Sequence, residues 1–155
     1  ASRIAVMERG RIAQLGAAAD IYERPQSRFV ADFVGAVNLF DGVLVAGFNA
    51  LALAVTGLDV PIPLPPDTAV PKGTEAALAV RPEKLRLATT RPDGIAIAAT
   101  VTSVNYQGGI SIVHLSSASG HALKAQMSSA AAAKFERSAP VWAGWDPADG
   151  VVLAR

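Results

Sequence analysis

Ile95-Ala96-Ile97-Ala98-Ala99-Thr100-Val101-Thr102-Ser103-Val104-Asn105-Tyr106, then Gln107-Gly108-Gly109, then Ile110-Ser111-Ile112-Val113-His114-Leu115: this run decides the fold. Two stretches of β-forming residues flank a glycine pair, the pattern of a tight hairpin, since glycine accepts the positive φ such a turn demands. Ile95, Ile97 and Val101 share one parity, whereas Val104 and Tyr106 sit on the other. A switch near Thr102-Ser103 therefore predicts a β-bulge or a sharp coil. Downstream, Leu123, Ala125 and Met127 alternate with Ala122, Lys124 and Gln126, as in a half-buried strand. Alanine-rich residues 128–135 predict a short helix, and residues 141–145 and 151–153 two closing strands. Upstream, strands are predicted at 38–45, 50–56, 75–80 and 84–88, the first two joined by residues 46–49. Between them, prolines at 61, 63, 65, 66 and 71 predict an extended, unpaired loop over 61–73. Many short strands with one small helix before the last ones indicate a mainly β chain and a small barrel, not a doubly wound sheet.

The first 36 residues have a different character. Ile4, Val6 and Ile12 flank Glu8-Arg9-Gly10, so residues 3–7 and 11–15 read as two short strands, with Arg9 and Arg11 solvating the hairpin. Residues 17–24 read as a helix stopped by Pro25, because the residue before a proline avoids the α region. Ser27 caps a second helix running to Val34, with Gly35 as its stop. Phe29, Val30, Phe33 and Val34 form one apolar face on that helix. Two exposed phenylalanines forfeit about 2 kcal/mol each, so this face is expected to pack on something.

Composition excludes more than it selects. The 155 residues carry 14 Lys+Arg against 13 Asp+Glu, a net charge of +1, without the field that nucleic-acid and acidic-membrane binders use. With no cysteine and two histidines, disulfides, thiolate zinc sites and cysteine nucleophiles are excluded. The N-terminus shows no signal-peptide pattern and no run approaches membrane-span length, so we expect a soluble intracellular piece cut from something longer. No phosphate-binding G-x-x-x-x-G-K-[ST] loop and no G-x-G-x-x-G occurs. Residues 115–120 read as a β-turn, and His114 and His121, which bracket it, as hairpin histidines. Aromatic and basic residues that an oligonucleotide binder would need are Tyr106, Lys124, Trp142, Trp145 and Arg155. Trp142 and Trp145 lie three apart and face opposite ways on a strand, one of them into the core, and the near-zero net charge speaks against a nucleic-acid partner.

Several segments then resemble one family in the right order. Residues 3–12, Arg-Ile-Ala-Val-Met-Glu-Arg-Gly-Arg-Ile, are similar to a strand pair late in the nucleotide-binding domain of ABC importer ATPases. Ile21-Tyr22-Glu23-Arg24-Pro25, residues 28–35 (Arg-Phe-Val-Ala-Asp-Phe-Val-Gly) and Asn38-Leu39 resemble the join between that domain and its C-terminal regulatory domain. Arg81-Pro82-Glu83 resembles the family's R-P-E segment. Tyr106-Gln107-Gly108-Gly109 stands where the family has an aromatic-x-G turn, and Trp145-Asp146-Pro147 with Val151-Val152-Leu153 resembles its closing strand pair. The family is the spermidine/putrescine-, iron- and maltose-type importer ATPase, and the C-terminal part resembles its TOBE (transport-associated OB) domain. One departure is Ala17-Ala18-Ala19-Asp20, where the family often has Thr-Pro-Glu-Glu; losing the threonine cap costs about 1 kcal/mol.

The resemblance implies two parts: residues 1–36, the tail of a nucleotide-binding domain, and residues 37–155, an OB-like TOBE barrel. It implies a regulatory, non-catalytic role, with ATP and Mg in a preceding ATPase domain and no cofactor in this stretch. Its implied partners are that domain, a second copy of the subunit and membrane permease subunits, at the cytoplasmic face of the membrane. Polyamine is the implied transport branch. Phe29 and Phe33 become candidates for packing on the ATPase body or the barrel. Arg81, Glu83, Tyr106, Gly108 and Gly109 are candidate regulatory or interface residues. Each also has a local reading: Arg81 and Glu83 pair across the barrel mouth or solvate their turn, Tyr106 belongs to the core or rim, and the glycine pair is a hairpin turn or a backbone platform for a ligand. Two further functions stay open, an oxyanion-sensing OB domain and an oligonucleotide-binding one.

Overall fold

The computed structural model describes residues 2–47 and 50–154. Phe48 and Asn49 of the expected 46–49 turn, and Ala1 and Arg155 at the ends, lie outside the described residues.

Gly10, at φ +79°, closes the first hairpin between β1 (Ile4–Glu8) and β2 (Arg11–Gly16). Helix α1 (Ala18–Glu23) starts at Ala17, which provides no side-chain cap, and ends before Pro25. Helix α2 (Arg28–Phe33) does have its cap, since the Val30 amide donates to Ser27 Oγ at 3.2 Å. Val6, Ile21 and Val30 make a small core beneath the ribbon. Gln14 is a polar side chain buried there; its amide donates to the Arg24 carbonyl and its oxygen accepts from the Gln26 amide, which holds the chain through Pro25.

The β-rich remainder forms two five-stranded antiparallel sheets. One runs β12 (Val151–Ala154), β6 (Glu75–Val80), β3 (Asn38–Ala46), β4 (Leu51–Val55), β5 (Ile62–Pro63). The other runs β10 (Ala122–Ser128), β9 (Ile110–Ser117), β8 (Ile97–Tyr106), β11 (Pro140–Gly144), β7 (Arg86–Ala88). The sheets curl over one core that includes Phe40, Leu44, Leu53, Leu78, Leu115 and Trp145. The mainly β, OB-like architecture is thus as expected, built as two sheets that share an interior.

Register confirms the reading of the central hairpin. The β8–β9 pairing slips between Val101 and Ser103, at the parity switch, and Gly108 turns the chain at φ +87°. Helix α3 (Ser129–Ala132) is shorter than the 128–135 expected; Ser128 caps it and Ala132 enters the core. The proline-rich stretch differs from expectation, because Ile62 and Pro63 pair with Leu53 and Ala52. Pairing is tolerated there since β5 is an edge strand, where a missing proline donor costs no ladder bond. Lys84 belongs to a 3-10 turn over Pro82–Lys84 and not to the strand after it.

Strand β6 is apolar on both faces, which explains how the N-terminal unit attaches. Ala76, Leu78 and Val80 enter the main core, while Ala77 and Ala79 face Ala31 of α2, with Leu153 beside them. Alanine on that outer face leaves room for a helix backbone to approach closely. Val30 of the same helix points into the N-terminal core, so α2 is the joint between the two cores.

Candidate functional site

The candidate residues separate into two places. Arg81 and Glu83 lie at the joint between the N-terminal unit and the sheets; Tyr106, Gly108 and Gly109 lie at the tip of the β8–β9 hairpin.

At the joint, Pro82 holds Arg81 extended (φ −68°, ψ 145°), so its side chain leaves the end of β6 toward the helices. Only 6% of Arg81 is accessible. Its Nε and Nη2 donate to the Tyr22 carbonyl at 3.3 and 3.1 Å, and Nη1 donates to the carbonyls of Ala31, Gly35 and Ala36 at 2.9, 3.1 and 3.0 Å. The guanidinium also stacks over the Tyr22 ring, 4.2 Å from its centroid. Glu83 accepts from the Tyr22 hydroxyl at 2.6 Å. Neither local sequence reading describes Arg81. It does not solvate the turn, and its hydrogen bonds go to backbone carbonyls, so its charge is met by peptide dipoles at the C-terminal ends of α1 and α2. Burial and the hydrogen bond to Glu83 push the Tyr22 phenol up to about 12. Gly35 leaves space for this packing, since a Cβ there would stand 3.3 Å from the Tyr22 ring.

Tyr22 and Asn38 both stand inside family-like motifs of the sequence, but neither is distinguished there as a functional residue. That asparagine, 3% exposed, bridges the two sheets: its amide donates to the Val80 and Lys124 carbonyls at 3.1 and 2.9 Å, and its Oδ1 accepts from the Lys124 amide at 2.8 Å. An asparagine at the first position of a strand, next to the apolar pair Leu39-Phe40, was the available signal. Beside it His121 stacks on Phe40, which stacks on Trp145, and its Nε2 lies 3.1 Å from the Leu39 carbonyl. His114 is opposite Lys124 in the ladder, so the two histidines do not face each other. Among the described residues no group of three or more His, Cys, Asp or Glu is placed to hold a metal.

The hairpin tip is open. Tyr106 is 73% exposed, which places it outside the core, with Val104 and Ile110 also exposed nearby. Nothing stands within 4 Å of a Cβ built on Gly108 or Gly109, and the carbonyls of both accept from Ser129, from its hydroxyl at 2.5 Å and its amide at 3.0 Å. Phe29 and Phe33 stack on each other at 5.6 Å, yet Phe33 remains 66% exposed. Trp142 is half-buried under Arg91, and Trp145 is the core tryptophan.

Comparison with known proteins places this architecture. The family model described as TOBE domain matches residues 78–153. The chain carries a TOBE domain. Its relatives include the putrescine transport ATP-binding protein PotG of Escherichia coli K12, 35% identical over 92% of this chain and 38% of the relative. The spermidine/putrescine import ATP-binding protein PotA of Frankia alni is 35% identical over 97% of this chain and 35% of its own length. The TOBE-containing chain therefore spans little more than a third of these relatives. Among solved structures, the molybdate-bound cytoplasmic protein ModG superimposes with a TM-score of 0.63 at 16% identity, covering 76% of this chain and 96% of that one; this likeness is one of fold.

Proposed function

We propose that this chain is the non-catalytic, regulatory C-terminal part of the ATP-binding subunit of a polyamine importer. One observation carries the reading: the likeness to polyamine importer ATP-binding proteins extends over 92% and 97% of the chain, so it takes in the N-terminal unit as well as the TOBE domain. In this reading residues 1–36 are the tail of a nucleotide-binding body that holds ATP and Mg, and residues 37–155 are the barrel it carries. Exposed Ile4, Met7, Ile12, Leu15 and Phe33 support it, because all five belong to the N-terminal unit and such a body would cover them. The complete subunit would work as a pair of copies at the cytoplasmic face of the membrane, coupled to permease subunits. Among the described residues no helix is long and apolar enough to cross a membrane.

The test joins this chain to the nucleotide-binding body of PotG in place of the corresponding part and measures uptake of labelled putrescine. The expected result is restored uptake, with no ATP turnover by the isolated chain. Turnover by the isolated chain, or a stably produced chimera without uptake, overturns the reading. Calorimetry of the isolated chain with molybdate, sulfate and spermidine is expected to show no heat; heat with the oxyanions would favour a sensor instead. A salt-dependent shift with single-stranded DNA would favour an oligonucleotide binder.

A further inference from the structure

We propose that Arg81 is a mechanical coupling between the N-terminal unit and the barrel: one buried guanidinium sets the orientation of the ribbon and both helices relative to the sheets. The proposal rests on the geometry of the joint and stands whether or not the transporter reading does.

Covalently the two parts meet only through the backbone leading from α2 into β3, and the apolar contact across the joint is small, centred on Ala31 against Ala77 and Ala79. Small alanine contacts define a direction weakly, because neighbouring orientations bury nearly the same area. Arg81 supplies what they lack. Its planar fork reaches four carbonyls from three places: the end of α1 (Tyr22), the last turn of α2 (Ala31) and the segment after it (Gly35, Ala36). A rotation of the unit would break several of these bonds at once and leave a buried cation without acceptors, a heavily penalised state. The Tyr22–Glu83 hydrogen bond adds a second tether from the same Arg81-Pro82-Glu83 turn, and a more exposed Arg28–Asp41 ion pair joins α2 to β3, where screening by solvent leaves it a weaker constraint. That turn is itself anchored by buried Pro82 and by the core residue Leu85. The fixing point therefore belongs to the barrel and the fixed body is the N-terminal unit. Charge alone is not enough, since a lysine ammonium has no fork with which to span these carbonyls.

The chain contains no cysteine, so a spin-label pair can be introduced cleanly at two exposed ladder positions, Arg11→Cys on the ribbon and Thr100→Cys on the barrel. Pulsed electron-spin distance measurements are then made on the full chain with Arg81, with Arg81→Met and with Arg81→Lys. Emission from the two tryptophans, core Trp145 and half-buried Trp142, both in the barrel, reports whether the barrel is intact. With Arg81 the distribution should be narrow. Both variants should widen it by about twofold or more while the barrel emission stays native, which is the expectation for a released hinge. Tyr22→Phe keeps the guanidinium and its acceptors, and should widen the distribution much less. A distribution as narrow in folded Arg81→Met as in the parent chain overturns the proposal. So does rescue by Arg81→Lys, which would mean that charge and not the fork acts. Loss of native barrel emission in both variants also overturns it, because Arg81 would then be part of the barrel's own stability.

Discussion

Asn38 is the residue whose removal reaches furthest for its size. Its side chain satisfies one amide and two carbonyls that belong to different sheets, and an unpaired buried polar group costs about 1–3 kcal/mol. Asn38→Leu is expected to lower stability by roughly 2–4 kcal/mol in urea unfolding, as a shift of the midpoint with the slope unchanged. Tyr22 gives a pH signature of its own. Its phenol is raised from 10.0 to about 12 in the folded chain, so between those values the unfolded state has lost a proton that the folded state keeps. The resulting contribution to stability is complete below about pH 10 and declines as pH rises toward 12. Comparing the parent chain with Tyr22→Phe should therefore show parallel stability profiles below pH 10 and a steeper alkaline fall in the parent. Parallel profiles through pH 12 would refute the assignment.

Among the elements, the two short helices make a natural contrast. α2 is capped by Ser27, and α1 begins at an alanine with no side-chain bond. Neither helix reaches two full turns, so an end effect is a large share of its stability. Ser27→Ala is expected to destabilise the chain by about 1 kcal/mol. Ala17→Ser should stabilise it by about 0.5–1 kcal/mol, because Asp20 already occupies the fourth position of a capping box. Thermal unfolding of both variants checks the pair of signs. The sheets show the same logic in the prolines: an edge strand accepted Ile62–Pro63 where a central strand would have rejected it.

At the scale of the molecule, the N-terminal unit exposes far more apolar surface than its small core requires. Met7, Ile12 and Phe33 are each at least half exposed. Replacing such residues should leave the isolated chain's stability within about 0.5 kcal/mol, since little packing is lost. Ile12→Lys and Phe33→Lys are expected to show that neutrality in unfolding experiments and yet to abolish putrescine uptake in the chimera with the PotG body. Uptake unaffected by both substitutions would remove the proposed docking role from this surface.

What the order of residues settled alone was local: the Gly10 and Gly108-Gly109 hairpins, the Ser27 cap, the stop at Pro25, the bulge after Val101 and the opposite facing of Trp142 and Trp145. Each depends on φ, on side-chain parity or on a cap within a few positions, and these are short-range properties. The motif Arg81-Pro82-Glu83 could be read as a turn for the same reason, through the restraint of Pro82 on its neighbour. Only the tertiary structure decided where Arg81 points, because its acceptors are 45 to 59 residues away and are main-chain carbonyls, which no side-chain pattern announces. Likewise Asn38 reaches a strand 86 residues on, and Ala77 and Ala79 reveal their second buried face only once α2 lies across them. Partners so distant in the chain are chosen by packing, which the folded arrangement of both cores determines.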